Sequence, residues 1–122
     1  AEKWFRKTVV NGDARNQYNL GWRYAEGRSV AQDYKEALVW YRKSANQGYA
    51  LAQYHLALSY KKGNGTKQDN VMAYAWMLVA AESDKSYREG KDSYALNLTS
   101  SQRQESMEIA KEIHESINKT EM

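Results

Sequence analysis

The chain has 122 residues, with 18 Lys and Arg against 15 Asp and Glu and with neither cysteine nor proline. That length supports one domain with a real core, and the missing cysteines exclude a disulfide framework, a thiolate zinc site and a cysteine nucleophile. No apolar run approaches the ~20 residues of a membrane span, and no Lys or Arg run exceeds two residues (Arg6-Lys7, Arg42-Lys43, Lys61-Lys62), which argues against nucleic acid as a partner, since that needs a concentrated cationic stripe.

Helix-forming Ala, Leu, Lys, Glu and Gln run throughout, and apolar residues recur at helical spacing rather than alternating. The spacing predicts helices over 1–11, 14–26, 34–47, 50–62, 70–83, 86–97 and 100–118. Gly12, Gly27, Gly48 and Gly63 fall just past predicted helix ends, where a left-handed residue closes the last turn and glycine carries no Cβ penalty. Asp33 with Glu36, and Thr99 with Gln102, have the spacing of capping boxes; Asp69 can cap the equivalent helix, with Met72 in the partner's place. The last segment carries one apolar stripe (Met107, Ala110, Ile113, Ile117) among charged residues, which predicts a helix that caps the stack with its polar side outward. Its polar face is mainly acidic, unlike the Lys- and Arg-rich face of a membrane-surface helix.

Displaced by 36 residues, the sequence falls on itself. Ala14, Gln17, Tyr18, Leu20, Tyr24, Gly27, Gln32, Asp33, Ala37, Trp40 and Ala45 recur as Ala50, Gln53, Tyr54, Leu56, Tyr60, Gly63, Gln68, Asp69, Ala73, Trp76 and Ala81. Ala1, Trp4, Arg6, Lys7 and Gly12 anticipate Ala37, Trp40, Arg42, Lys43 and Gly48. A fixed period of this length is the signature of stacked helical units. Small residues such as Ala14, Gly21, Ala37 and Ala45 let the two helices of a unit approach, and Tyr18, Tyr24, Trp40 and Tyr41, with Tyr54, Tyr60 and Trp76, fill the layers between. The loop Gly63-Asn64-Gly65-Thr66 has neither a preceding strand nor a GK[ST] continuation, so a phosphate-loop reading fails.

The run from Ala14 through Gln17-Tyr18, Leu20-Gly21, Tyr24, Gln32-Asp33, Ala37 and Trp40-Tyr41-Arg42-Lys43-Ser44-Ala45 to Gly48 resembles one Sel-one-like repeat, a relative of the tetratricopeptide repeats. Residues 49–84 resemble a second unit, departing at Ala57, Thr66 and Met77-Leu78-Val79. Residues 1–12 look like the second helix of an earlier, truncated repeat, which predicts an upstream region, and residues 85–122 resemble the closing capping helices. The resemblance implies an all-α, right-handed superhelical solenoid over 1–122, ending in a C-terminal capping helix. It also implies a scaffold or adaptor for other proteins, commonly in bacterial envelope, secretion, signalling or host-contact settings, with no shared catalytic residues and no cofactor.

By analogy with tetratricopeptide stacks, the first helix of each unit lines the concave surface. Spacing selects Arg15, Asn19, Trp22 and Glu26 as one outward stripe, with Leu51, His55, Leu58 and Lys62 beside it, as the expected binding surface for a partner protein or peptide. These positions differ between units where the packing positions repeat. Trp22 is the sharpest choice, because Trp is enriched at interface hot spots. His55 has no second histidine at ligand spacing, His114 lying in the closing helix, and no Ser or Thr has an identifiable His–Asp relay. Asn64-Gly-Thr, Asn97-Leu-Thr and Asn118-Lys-Thr match glycosylation sequons, which matter only in a eukaryotic secreted chain. Two rival readings remain. One is a hydrolase or β-lactam/peptidoglycan-directed activity, as proposed for cysteine-rich relatives whose paired cysteines this chain lacks. The other is a structural spacer that self-associates through Trp4 and Phe5 on the N-terminal face.

Overall fold

A computed structural model describes residues 14–121, with side chains through Ile117. The expectations for Trp4, Phe5 and Gly12 lie outside the described residues. Helix α1 spans Ala14–Glu26, α2 Tyr34–Ala45, α3 Ala50–Lys62, α4 Asn70–Ser83, α5 Arg88–Ala95 and α6 Ser100–Glu121, with a 3₁₀ turn at Lys85–Tyr87; the described residues contain no strand. α1 packs on α2 and α3 on α4, α2 joins the two pairs through α3, and α5 and α6 both pack on α4. This is the all-helical solenoid expected from the 36-residue period.

Local chemistry sets the helix ends. Asp33 Oδ1 accepts from the backbone N–H groups of Lys35 and Glu36 at 3.0 and 3.2 Å, and Asp69 Oδ1 accepts from that of Met72 at 3.1 Å, satisfying amides with no partner inside their helix. The Asp33 box is half formed, because the N–H that Glu36 would have received already donates to the Tyr24 carbonyl at 2.9 Å. The Thr99 box is complete: Gln102 N–H donates to Thr99 Oγ1 at 3.1 Å and Thr99 N–H to Gln102 Oε1 at 2.9 Å. α2 stops at Ala45 rather than at 47, because Gln47 and Gly48 donate to carbonyls three residues back and tighten the chain out of the α-helix. The helix expected over 86–97 is split by Asp84, which caps Ser86 through backbone and hydroxyl and turns Lys85–Tyr87 into a 3₁₀ step before α5.

The repeated residues hold the stack together. A Cβ on Gly21 would lie 2.9 Å from Tyr41 Cδ1 and 3.1 Å from the Ala37 carbonyl oxygen, so only glycine lets α1 approach α2 here. One period on, Ala57 is fully buried and faces a unit with Met77 in place of Tyr41. Trp76 is buried and Trp40 half-buried with Lys43 Nζ 4.4 Å above its ring. The recurring glutamines are buried polar connectors. Gln53, wholly inaccessible to solvent, donates to the Ala45 carbonyl at 3.1 Å and accepts from Ser83 Oγ at 3.0 Å. Gln17 accepts from Gln47, the same 30 residues further along the chain as Ser83 is from Gln53. In the closing helix Ile117 is buried and Ile113 and Ala110 are half-buried, but Met107 is 49% exposed, so the expected apolar stripe is covered along only part of its length.

Candidate functional site

α1, α3 and α5 share one side of the stack. Tyr18 on α1 reaches His55 on α3, with 5.3 Å between ring centroids; Tyr54 on α3 stacks on Tyr87, just before α5, at 5.1 Å and 15°; and Lys61 Nζ sits 4.3 Å over the Tyr94 ring of α5. These contacts set the three helices side by side and fix what the face presents.

On α1, Arg15, Asn19, Trp22 and Glu26 are all exposed, at the helical spacing that puts them on one stripe. Trp22 is 38% exposed, and the Arg28 guanidinium lies 5.7 Å from its ring centre. On α3, Lys62 is exposed while Leu51, His55 and Leu58 are half-buried.

His55 departs most from the open position that spacing assigned it. Its ring stacks on Tyr41 at 5.4 Å and 29° and meets the edge of Tyr54 at 5.4 Å, and its Nε2 lies 3.1 Å from the Tyr18 hydroxyl. Tyr49 closes the cluster against Tyr18. Burial pushes the His55 pKa down, with Glu26 acting weakly in the opposite sense. Burial likewise raises the pKa of Tyr18 and, more strongly, of Tyr41, and pushes that of Tyr94 up to about 12. The cluster is therefore neutral at pH 7, and rings of both repeats meet in it. With Nε2 taken up by the Tyr18 hydroxyl and its ring set among Tyr18, Tyr41 and Tyr54, His55 packs the joint between α1, α2 and α3. Among the described residues no group of three His, Cys, Asp or Glu side chains is arranged to hold a metal ion, and no helix is long and apolar enough to cross a membrane.

Spacing arguments passed over Tyr54, Tyr87, Lys61 and Tyr94, which carry the same face onto α5. The available signal was the helical interval from Tyr54 through Leu58 to Lys61 on α3, beside the selected stripe.

The family model of the Sel1 repeat matches residues 17–49 and 50–85, more than half of the chain. The chain belongs to the Sel1 repeat family. Among solved structures it is similar to a protective antigen of uropathogenic Escherichia coli strains that displays an SLR fold, at 29% identity and a TM-score of 0.82 over 98% of this chain. It is also similar to a Sel1 repeat protein from Oxalobacter formigenes, at 30% identity and a TM-score of 0.68 over 78% of this chain. It spans 27% and 40% of those two chains respectively. No curated protein matches the sequence. Sel1 repeat proteins generally act as protein-interaction modules.

Proposed function

We propose that this Sel1 repeat chain is a non-catalytic docking module whose α1–α3 face receives an extended segment or helix of a partner protein. The observation that carries the reading is the division of labour along the period. Gln17/Gln53, Ala37/Ala73 and Ala45/Ala81 repeat and are buried, whereas Trp22/Leu58 and Glu26/Lys62 do not repeat and are exposed or half-buried at helical spacing. A constant frame with a variable face is how stacked repeats acquire different partners. Trp22 serves as the anchor: a large ring at the surface, held by Arg28, loses substantial apolar area on contact.

Affinity capture with the intact chain tests the assignment. The pair Trp22→Ala and Leu58→Ala abolishes capture of the groove partner, while Val39→Ala, at an exposed position of α2, leaves it intact. Unchanged capture by the double variant, with its fold intact by circular dichroism, sinks the assignment.

A further inference from the structure

The closing pair of helices is not assembled like the two pairs before it. α1 packs closely on α2 and α3 on α4, but α5 and α6 each lean on α4, and their backbones approach one another far less closely than those of the earlier pairs. The sequence supplies the reason. One period after Tyr18 and Tyr54 stands Gly90, where a Cβ would already lie 3.0 Å from Met77 Cε; one period after Gly21 and Ala57 stands Ser93, which is exposed. The bulk that fills a layer and the small apolar residue that closes a pair are both replaced.

What opens between α5 and α6 is a cleft of about 640 Å³, floored by Leu78, Val79 and Ala81 of α4. A second, of about 550 Å³, adjoins it at Met107 and is edged by Leu96. Leu96 is 80% exposed and Met107 49%, so two large apolar side chains stand open to water along one line. The residues of α6 that line the two clefts run from Ser100 to Glu115, about 22 Å at 1.5 Å per residue. A trough of that length is suited to a polypeptide more than to a small molecule.

Its charges are arranged unevenly. The α5 wall of the larger cleft presents Arg88 and Lys91, three residues apart on one helix face, and Lys111 answers from α6. Arg88 and Lys111 are exposed and Lys91 is half-buried at the cleft wall. The carboxylates of that cleft, Glu82 and Glu115, are the last lining residues of α4 and α6, while Asp92 and Arg103 line the smaller cleft. α4 and α6 run in the same sense, since Ser106 Oγ near the start of α6 donates to the Val71 carbonyl near the start of α4 at 2.8 Å. Glu82 and Glu115 therefore mark one end of the trough.

We infer that this trough seats an amphipathic, acidic helix of a partner protein. Its apolar stripe lies on Leu78, Met107 and Leu96, and its carboxylates face Arg88, Lys91 and Lys111. Its N-terminus points toward Glu82 and Glu115, whose negative charge favours the positive end of a helix dipole. The guest helix supplies the packing that α5 and α6 deny each other, a helix-in-groove mode of recognition. This surface is separate from the α1–α3 face, and either can be correct without the other.

The test uses the intact chain and a labelled synthetic helical peptide about 15 residues long, with Leu on one face and Glu on the other, beside a twin in which Lys replaces Glu. Fluorescence anisotropy shows the Glu peptide bound at least about tenfold more tightly than the Lys peptide, and Arg88→Glu with Lys91→Glu, both on the surface of α5, reverses the order. Trp22→Ala with Leu58→Ala changes neither affinity. In NMR spectra the Glu peptide shifts the Met107 methyl and the ring signals of His114, a cleft residue whose Nδ1 is shielded and has no hydrogen-bond partner among the described residues. Equal affinity for the two peptides, no binding of either, or shifts confined to α1 and α3 overturns the inference. So does sedimentation showing that the chain pairs with itself and that Met107→Glu dissolves the pair, for then a second copy occupies the trough.

Discussion

Gly21→Ala tests how the two repeats solve the same packing problem. The added methyl carbon meets Tyr41 Cδ1 at 2.9 Å and the Ala37 carbonyl oxygen at 3.1 Å, and the second contact is backbone that cannot swing aside. Overpacking of this kind costs about 1–3 kcal/mol, while replacing a mid-helix glycine by alanine returns about 1 kcal/mol of helix propensity. A net loss of about 1 kcal/mol is expected. The second repeat has Ala57 with Met77 where the first has Gly21 with Tyr41, and a flexible Met vacates space that a Tyr ring cannot. In the Tyr41→Met background the ring contact is relieved while the Ala37 carbonyl contact stays, so the same Gly21→Ala change should cost less, by about 1 kcal/mol. Tyr41→Met alone is destabilising, because Tyr41 stacks on both Tyr18 and His55. Urea unfolding followed by far-ultraviolet circular dichroism gives the four stabilities, and the cycle should show a coupling of about 1 kcal/mol. If Gly21→Ala has the same sign and size in both backgrounds, the Tyr41 ring is not what requires glycine.

Three further tests probe other parts of the frame. Gln53→Leu preserves bulk but removes both hydrogen bonds of the buried amide, to the Ala45 carbonyl (which keeps Gly48 N–H) and from Ser83 Oγ, and should cost about 1–3 kcal/mol, whereas Ser83→Ala removes one of the two and should cost under about 1 kcal/mol; comparable losses for the two in thermal melts would contradict the connector role. His55 has a folded-state pKa below its ordinary 6.5, so the unfolded chain takes up a proton first and stability falls as pH drops through and below 6.5. That part of the pH dependence should vanish in His55→Gln, and equal slopes in urea titrations would refute it. Ser29 holds a left-handed φ of 68°, where the second repeat has Gly65 at 81°. Ser29→Gly should thus gain up to about 1 kcal/mol, while Gly65→Ser should lose stability because its side chain would run into the Tyr34 carbonyl; gains or losses shared by both variants would show that backbone strain does not set them.

Helix starts were legible in the sequence because capping is local: Asp33, Asp69 and Thr99 each mark a first turn from within three residues of it. The pairing of α1 with α2 and α3 with α4 was legible as well, since Gly21 and Ala57 recur where close approach demands them. His55 was misplaced on an open face because the period equates it with Asn19, and what surrounds a position is set by the rings of other helices. Tyr18, Tyr41 and Tyr54 converge on His55 only once α1, α2 and α3 are assembled. Met107 was taken for covered because its own helix reads as amphipathic. Its exposure comes from Gly90 and Ser93 on α5, a helix that the period no longer governs. Patterns within a helix were readable, and departures imposed from the neighbouring helix were not.

The buried glutamines have a consequence for how such a chain can grow. Gln53 is tied backward to the last residue of α2 and forward to the last residue of α4, and Gln17 repeats the forward half of that pattern. Gln53 thus ties its own repeat together through Ser83 and fixes it to the preceding repeat through Ala45, which sets the pitch of that joint. Duplication or loss of a whole 36-residue block keeps the spacing between each glutamine and its partners, whereas an indel of a residue or two within a helix would pull the buried Gln53 amide out of register with Ala45 or Ser83. The polar pegs hidden in the stack thereby make whole-block changes of length less destabilising than partial ones. They let the array lengthen or shorten in whole steps while its docking faces diversify freely.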